Sequence, residues 1–505
     1  MLSVKELVIR NHQQDLVLIE GLSFTVNDED KIAIIGSEGS GKSTLLSTIY
    51  GEVLDYITVT GEIIRPKVIS YLNQNILNQY ESLSVTVFLE LNIPEDLYHY
   101  LDVIYKLFVQ FNLSYDAFKD RSLKSLSGGE RVKIGLIKCL MIRPDLLLLD
   151  EPSNDLDFET IEFLESFMKD TTIPLLFISH DQRLLENVAT GIIHLQQVHK
   201  KTKPKTYFIN VDYKTYKEKY LRKFETDLMV ARKQRADYNK KMDKFRQIYQ
   251  KVEHQQDQAV RDPVLGRLLK KKIKSLKSQE KRYLKEKDSF IDIPEKEEPM
   301  SIYFEDLGKF NPNKLIMDLD IIDFSLPNGV LIPHVKLKLS ATDKVVITGH
   351  NGVGKTTLIK HIYEKLIKRS VKVGYISQDY LDFMDKDRTV LDYVLSHQSK
   401  YQESKIRQIL STLGLKRDEM LYKIKDISEG TKLKILLLVL VSNTYDVLIL
   451  DEPTRNISPI NQDEIYELFL NFQGAILAVS HDRAFIESVF DEIYVLSKDG
   501  LYLAS

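Results

Sequence analysis

The chain has 505 residues, 43% of them hydrophobic and 28% charged, with a formal net charge of -3, an ordinary globular composition long enough for about three domains. Its longest apolar runs, such as Ile435 to Val441, fall well short of the ~18 residues that span a bilayer, and Met1 to Arg10 carries no secretory pattern, which predicts a cytoplasmic protein. A single cysteine, Cys139, excludes disulfides and cysteine-rich iron-sulfur or zinc sites and reads as a small buried apolar residue.

After a strand-like start at Leu7 to Ile9 and Leu16 to Ile19, the run Lys31-Ile-Ala-Ile-Ile35 reads as a buried strand. It feeds directly into Gly36-Ser37-Glu38-Gly39-Ser40-Gly41-Lys42-Ser43-Thr44 and a helix beginning Leu45-Leu46. Strand, glycine-rich loop and helix in that order make a P-loop. The glycines let backbone N-H groups close around phosphates and the helix start adds positive potential, while Lys42 reaches the outer phosphates and Ser43 gives an oxygen to Mg²⁺. A further strand, Val68 to Asn73, ends at Gln74, and a mainly helical segment runs from Thr86 to Phe118. Leu126-Ser127-Gly128-Gly129-Glu130 then heads an amphipathic helix, and Leu146 to Leu149 empties into Asp150-Glu151. Asp150 is placed to bind Mg²⁺ and Glu151 to polarise an attacking water. Ser153 to Asp157 follows, and the apolar strand Leu175 to Ile178 ends at Ser179-His180-Asp181.

Between Lys200 and Asp288 the character changes: 28 lysines and arginines stand against 12 acidic residues, a net +16 that leaves about -19 on the flanks. Apolar residues recur at Phe224, Leu228, Ala231, Tyr238, Met242, Phe245 and Tyr249, then at Leu265, Leu269, Ile273, Leu276 and Tyr283, the three-four spacing of a coiled-coil seam. Two antiparallel helices are expected, each about 35 residues and about 50 Å long. Their tip is expected within Val252 to Gly266, where Gln255, Gln256, Asp257 and Gln258 interrupt the seam and Pro263 and Gly266 punctuate it. A one-signed field of this size is the footprint of a polyanion binder, although lysine runs on coiled coils also serve as plain solvated faces.

The chain then repeats itself. Lys344 to Thr348 leads into Gly349-His350-Asn351-Gly352-Val353-Gly354-Lys355-Thr356-Thr357, followed by a strand ending at Gln378, by Ser428-Glu429-Gly430-Thr431, by Val447 to Leu450 before Asp451-Glu452, and by Ser480-His481-Asp482. Ser127 to Asp150 and Ser428 to Asp451 are both 23 positions, and Glu151 to His180 and Glu452 to His481 both 29. From P-loop lysine to Asp the first copy is 12 residues longer, 108 against 96, and an insert near Leu54 to Arg65 accounts for most of the surplus.

P-loop, Q-loop, signature, Walker B and switch-histidine motifs in this order resemble the nucleotide-binding domain of ATP-binding cassette proteins. Two cassettes joined by a basic helical hairpin resemble the ABC-F family. The fold class implied is α/β, two P-loop domains joined by an antiparallel α-helical hairpin. The corresponding domains are a first cassette over 1–199, a linker over 200–300 and a second cassette over 301–505. The resemblance implies an ATPase using ATP and Mg²⁺, with each nucleotide held between the P-loop of one half and the signature of the other. Ser43, Gln74 and Asp150, and Thr356, Gln378 and Asp451, are then the metal-side residues. Glu151, Glu452, His180, His481, Gln74 and Gln378 are the catalytic ones. The second half departs from the family pattern at Glu429, Thr431 and Arg455 to Ser458, so the site combining the first P-loop with the second signature is expected to be the slower. A Thr-Arg-Asn loop, here Thr454 to Asn456, is similar to that of ABC-F proteins conferring resistance to lincosamide, streptogramin A and pleuromutilin antibiotics. The implied partners are the bacterial 70S ribosome at its exit site, 23S rRNA near the peptidyl transferase centre, and P-site tRNA. Lys240, Lys241, Gln255, Gln256, Arg261, Arg267, Lys270, Lys271 and Lys272 are the expected RNA contacts.

Two further readings stay open. A housekeeping member of the same family, relieving stalled ribosomes, would act at the same place. The ATPase subunit of a membrane transporter would carry the same motifs but leaves the basic hairpin unexplained. Neither the first nor the second half fixes an adenine-stacking residue; His12 and Phe324 read equally well as strand-edge positions.

Overall fold

The computed structural model describes the chain except residues 14, 74–78, 94–96, 155, 198–202, 259–262, 295–313, 328, 378–383, 399–400, 428, 455–456 and 505; for 97, 98, 203, 257, 263, 264 and 429 the backbone alone is described. The chain divides into two compact units, one formed by residues 1–213 with 297–505 and the other by residues 214–296.

In the first unit, each half builds one mainly parallel six-stranded sheet. The runs without a polar face, such as Leu146–Asp150 and Ala475–Val479, are buried on both sides, as the inner strands of a parallel sheet must be. In the first half the order is Ile69–Asn73, Leu146–Asp150, Leu175–Ile178, Lys31–Ile35 and Gly191–Gln197, all parallel, with Lys203–Ile209 antiparallel at the edge. The second half repeats this order with Val373–Ile376, Val447–Asp451, Ala475–Val479, Lys344–Thr348, Glu492–Ser497 and Gly500–Leu503. The strands feeding each P-loop and each Asp-Glu pair therefore discharge at the same end of the sheet, one strand apart, where open α/β sheets bind their ligands.

A separate antiparallel sheet accompanies each of these. In the second half it has two strands, Leu315–Ser325 and Leu331–Ser340; in the first it has three, Leu16–Val26, Leu2–Asn11 and Ile57–Ile64. The third strand is the insert expected near Leu54 to Arg65. Its register slips beside Lys5 and Val8, and Gly61 sits there at φ +110°, where a Cβ would come within 2.6 Å of the Glu6 carbonyl; a glycine bulge is the conformation this close approach permits. Arg65 closes the insert by donating from Nε to the Ile49 carbonyl at 2.7 Å and from Nη2 to that of Thr48 at 2.8 Å. These are unpaired carbonyls at the end of the P-loop helix Lys42–Tyr50, so the insert caps that helix.

The second unit holds two long helices, Tyr213–Gln258 of 46 residues and Pro263–Asp288 of 26. The first is about 69 Å long at 1.5 Å per residue. Phe245, Val252, Leu269 and Leu276 form its buried seam, with Met242, Tyr249, Ile273 and Tyr283 against them, and Tyr238 packs edge-on against Phe290. Two expectations need correction. The helix continues through Gln255, Gln256 and Gln258, with Val252 packed in the seam, because polar straight-chain residues leave the seam without breaking the helix; Pro263 then opens the second helix, where no N-H is needed. Leu265 keeps 45% of its surface exposed, since a residue in the terminal turn lacks a full set of neighbours to receive it.

Candidate nucleotide sites

Both P-loops close by the same backbone geometry. Gly36 and Gly349 lie at φ +152° and +138°, and a Cβ on either would come within 2.2 Å of a strand carbonyl, Leu195 or Leu496. Gly41 and Gly354, at φ +95° and +105°, are the N-caps of the helices that begin with Lys42 and Lys355. Thr44 and Thr357 fall in the first turns of those helices. Each lysine is 7% exposed and folds back over its loop. Lys42 Nζ donates to the carbonyls of Gly36 at 2.9 Å and Ser37 at 3.0 Å, and Lys355 Nζ to those of Gly349 at 2.7 Å and His350 at 3.0 Å. Gly39 and Gly352 have open space where a side chain would stand, while Ser40 Oγ is buried with no hydrogen-bond partner among the described residues.

Ser43 Oγ donates to Asp150 Oδ1 at 3.2 Å, and the Tyr71 hydroxyl to Asp150 Oδ2 at 3.1 Å. Burial pushes the Asp150 carboxyl up, against the hydrogen bond from Ser43. Its counterpart Asp451 is 1% exposed and shares a cavity of about 660 Å³ with Lys355, Thr356, Glu452 and His481, lined from the first half by Leu126 and Gly128 and also by Asn154 and His180. Nucleotide and Mg²⁺ fit this donor set. Two half-folded-back lysines, an unpartnered serine hydroxyl and a hydroxyl-carboxylate pair suit phosphate oxygens and a hard cation, which takes one or two protein oxygens and completes its shell from phosphate and water. Among the described residues no cluster of three His, Cys, Asp or Glu side chains forms a self-sufficient metal cage.

Each Asp is followed by a glutamate held at positive φ, +50° for Glu151 and +51° for Glu452, with its N-H tied to the neighbouring strand at Ile178 or Val479. Beyond that the sites differ. Glu151 Oε1 lies 3.3 Å from His180 Nε2, and Asn154 donates to Oε2. Burial alone would raise the Glu151 carboxyl, but the bond and charge of His180, with Lys42 and Asn154, hold it down at about 2. Glu452 receives the His481 backbone N-H at 3.4 Å, and burial, then the Asp451 charge, push it up to about 8. Burial and then Lys355 press His481 down to about 4; its ring packs 6.0 Å from that of Phe158.

The halves meet head to tail. At the first site His180 Nδ1 is 3.0 Å from the Ile457 carbonyl, an oxygen that only accepts, and Gln462 Nε2 donates to the His180 carbonyl at 2.9 Å. Glu38 of the first P-loop accepts the Gly430 N-H of the second signature at 3.1 Å. At the second, Asp157 Oδ2 is 3.0 Å from His350 Nδ1, and its Oδ1 caps the next helix through Thr160. Asp157 is held below the usual carboxylate range: burial would raise it, but its bonds from Thr160 and His350 prevail.

Ser127 and Glu130 form a capping box at the head of the first signature helix, so the Glu130 carboxylate is turned onto its own helix start. Gly129 packs against Thr160, with no room for a Cβ. Gln74, Gln378, Ser428 and the Arg455-Asn456 pair lie outside the described residues, as does the side chain of Glu429. Of the two adenine candidates, Phe324 is 6% exposed and stands edge-on to His361, and His12 contacts Thr58 of the insert strand. Tyr71, Asn154, Phe158 and Gln462 escaped the sequence reading. The carbonyl of Ile457 had no signal at all, because a backbone contact leaves none in residue type.

Two P-loops, each facing a signature helix of the opposite half with an Asp-Glu pair and a histidine beside it, define a tandem nucleotide-binding ATPase. The model of the family described as ABC transporter matches residues 19–154 and 332–455. The chain belongs to this ATP-binding cassette family, and similar proteins align along 96% of its length. It is 28% identical over 515 residues to ATP-binding protein Uup of Buchnera aphidicola, covering 96% of this chain and 79% of that one. To ABC transporter F family member 5 of Arabidopsis thaliana it is 27% identical over 541 residues, covering 96% and 73%. The fold is shared with archaeal ribosome recycling factor aABCE1, solved with ribosomal stalk protein aP1, at a TM-score of 0.58 and 15% identity over 99% of this chain and 90% of that one.

When bound, Mg·ATP supplies the bond to be hydrolysed and the cation that neutralises its oxygens. Ser43 and Asp150, or Thr356 and Asp451, would hold the metal side, and Lys42 or Lys355 would turn from its loop carbonyls to phosphate. Glu151 or Glu452 would orient water and accept its proton, with His180 or His481 fixing the geometry. Among the described residues no helix is long and apolar enough to cross a membrane.

Proposed function

We propose that the chain is a ribosome-directed translation ATPase that uses nucleotide-driven closure of its cassettes to place the basic hairpin against RNA, at the exit site and toward P-site tRNA and the peptidyl transferase centre. The observation that carries this reading is the hairpin, a packed two-helix seam with a strongly net-positive exterior. Lys240, Arg267, Lys270, Lys271 and Lys272 are exposed, as is Gln255, while Gln256 is half-buried. Lys241 is engaged, donating to Glu286 at 2.6 Å, and that bond raises its pKa; Arg261 lies outside the described residues. The structurally similar aABCE1, a ribosome recycling factor solved with a ribosomal stalk protein, agrees with this direction. Resistance to lincosamide, streptogramin A and pleuromutilin drugs is the physiological output we assign, on the Thr454 to Asn456 loop. The domain limits 1–199, 200–300 and 301–505 are the working boundaries of this reading.

The sites are unequal in it. At the first, both Glu151 oxygens are taken and Glu38 covers a signature N-H; at the second, Glu452 carries one long hydrogen bond among the described residues. The second site is the faster hydrolyser.

The Glu151→Gln, Glu452→Gln double variant with ATP, sedimented through sucrose with bacterial ribosomes carrying P-site tRNA, tests the ribosomal reading. Nucleotide-dependent pelleting that weakens steeply with salt, and is lost when Lys240, Lys270, Lys271 and Lys272 become Gln, is expected. A trapped protein that stays in the supernatant at every salt concentration refutes it. Unchanged drug susceptibility in bacteria expressing the wild type, despite ribosome binding, refutes the resistance output and leaves the housekeeping role.

A further inference from the structure

Arg483 follows the His481-Asp482 pair of the second half, yet its guanidinium serves the first. Nη1 lies 2.9 Å from Glu165 Oε2 and Nη2 3.6 Å from Asp181 Oδ2, and the three side chains are only 15%, 13% and 14% exposed. These are ionic contacts rather than aligned hydrogen bonds. At this depth the attraction escapes the screening that makes surface pairs weak, and losing the cation takes this counter-charge from Asp181 and leaves Glu165 with Lys169 alone, 3.2 Å from its other oxygen. Asp181 is the residue after His180, and it caps the following helix by accepting the Leu184 N-H at 2.9 Å. With Ile457 at its ring and Gln462 at its carbonyl, His180 is held beside Glu151 by three groups, all from the other half.

The duplication provides an internal control, because adding 301 to a number in this region gives its counterpart: Asp181 becomes Asp482, Gln182 becomes Arg483 and Glu165 becomes Tyr466. On that side no such tie forms among the described residues. Gln182 donates to Glu186 of its own half at 3.0 Å, and Asp482 is held by Tyr466 of its own half at 2.8 Å. Both ring nitrogens of His481 lack a hydrogen-bond partner among the described residues.

We propose that Arg483 is a positioning residue acting in trans: through Asp181 it fixes His180 against Glu151, so the switch helix of the second half, Arg483–Val489, sets the hydrolytic geometry of the first site. The inference rests on assigning Glu151 and His180 to that site.

Chain position makes the test sharp. Arg483 is two residues from His481, so a merely local structural role predicts damage at the second site. Turnover of the first site alone is read in a Glu452→Gln background and of the second alone in Glu151→Gln. In the former, Arg483→Gln is expected to lower kcat roughly 10- to 100-fold at unchanged KM for ATP, since small misplacements of catalytic groups cost that much, and Arg483→Lys to recover part of it. In the latter, Arg483→Gln is expected to change turnover less than about twofold. Equal losses in both backgrounds, loss confined to the second site, or no loss at either each overturn the proposal. Full turnover in both parent backgrounds would instead refute the site assignment. A readout independent of turnover decides the proposal in that event. In nucleotide-free protein labelled at histidine carbons, the His180 ring signals, identified by their absence in His180→Gln, are expected to move in Arg483→Gln while those of His481 hold. Unmoved His180 signals overturn the proposal.

Discussion

Gly129 of the first signature offers a quantitative test of how the second nucleotide site is assembled. A Cβ there would lie 2.3 Å from Thr160 Oγ1 and 3.0 Å from its Cγ2, and Thr160 has little freedom to retreat. Its hydroxyl donates to Asp157 Oδ1 at 2.7 Å and its N-H to the same oxygen at 3.1 Å, while Asp157 Oδ2 meets His350 across the halves. Gly129→Ala therefore overpacks the contact, at about 1–3 kcal/mol, and pulls at a helix cap worth about 0.5–2 kcal/mol. Thr160→Ala alone loses the hydroxyl bond, about 1 kcal/mol. If the clash is the cause, the double variant Gly129→Ala, Thr160→Ala melts close to Thr160→Ala, giving a coupling energy of about 1–3 kcal/mol. Thermal denaturation without nucleotide reads this as a separation of roughly 2–4 °C per kcal/mol for a domain of this size. Additive effects, or a silent Gly129→Ala, refute the reasoning.

Three further outcomes are expected. Glu452→Gln abolishes most steady-state ATP turnover and Glu151→Gln removes a minor share, measured by phosphate release; equal losses contradict unequal sites. Without nucleotide or Mg²⁺, the folded Glu452 carboxyl releases its proton near 8 and the unfolded one near 4.5, so the folded state binds more protons in between. Stability then falls as pH rises through that window, by about 3 kcal/mol at most at pH 7, and a melting temperature that is flatter with pH in Glu452→Gln than in wild type checks it. In the hairpin, Leu276 is 7% exposed and Leu268 60%; Leu276→Ala is expected to cost about 2–5 kcal/mol and Leu268→Ala almost nothing, as read from hairpin protection in hydrogen exchange.

Much of the site was legible because its chemistry is local. A P-loop needs glycines at fixed intervals, and an Asp-Glu pair at the end of four leucines announces both a buried strand and what it empties into. The surplus of the first copy read correctly as an insert for a similar reason, since the repeat supplied its own ruler. What escaped was joint geometry. Nothing in the sequence said that the Ile457 carbonyl would meet His180, that Glu130 would spend its carboxylate on a cap, or that Arg483 would answer carboxylates three hundred positions away. Nor did the hairpin helix stop where its seam weakened at Gln255, because burial pattern and backbone continuity are separate properties that only proline and glycine join.

Glu151 and Glu452 share one further trait, a left-handed backbone that a glycine or asparagine would adopt more cheaply. Non-glycine residues in such conformations cost of order 1–3 kcal/mol. Both halves bear this cost at the same point of the fold, where the glutamate N-H is tied to Ile178 or Val479. Each sheet thus gives up some stability to fix the backbone from which its second carboxylate springs.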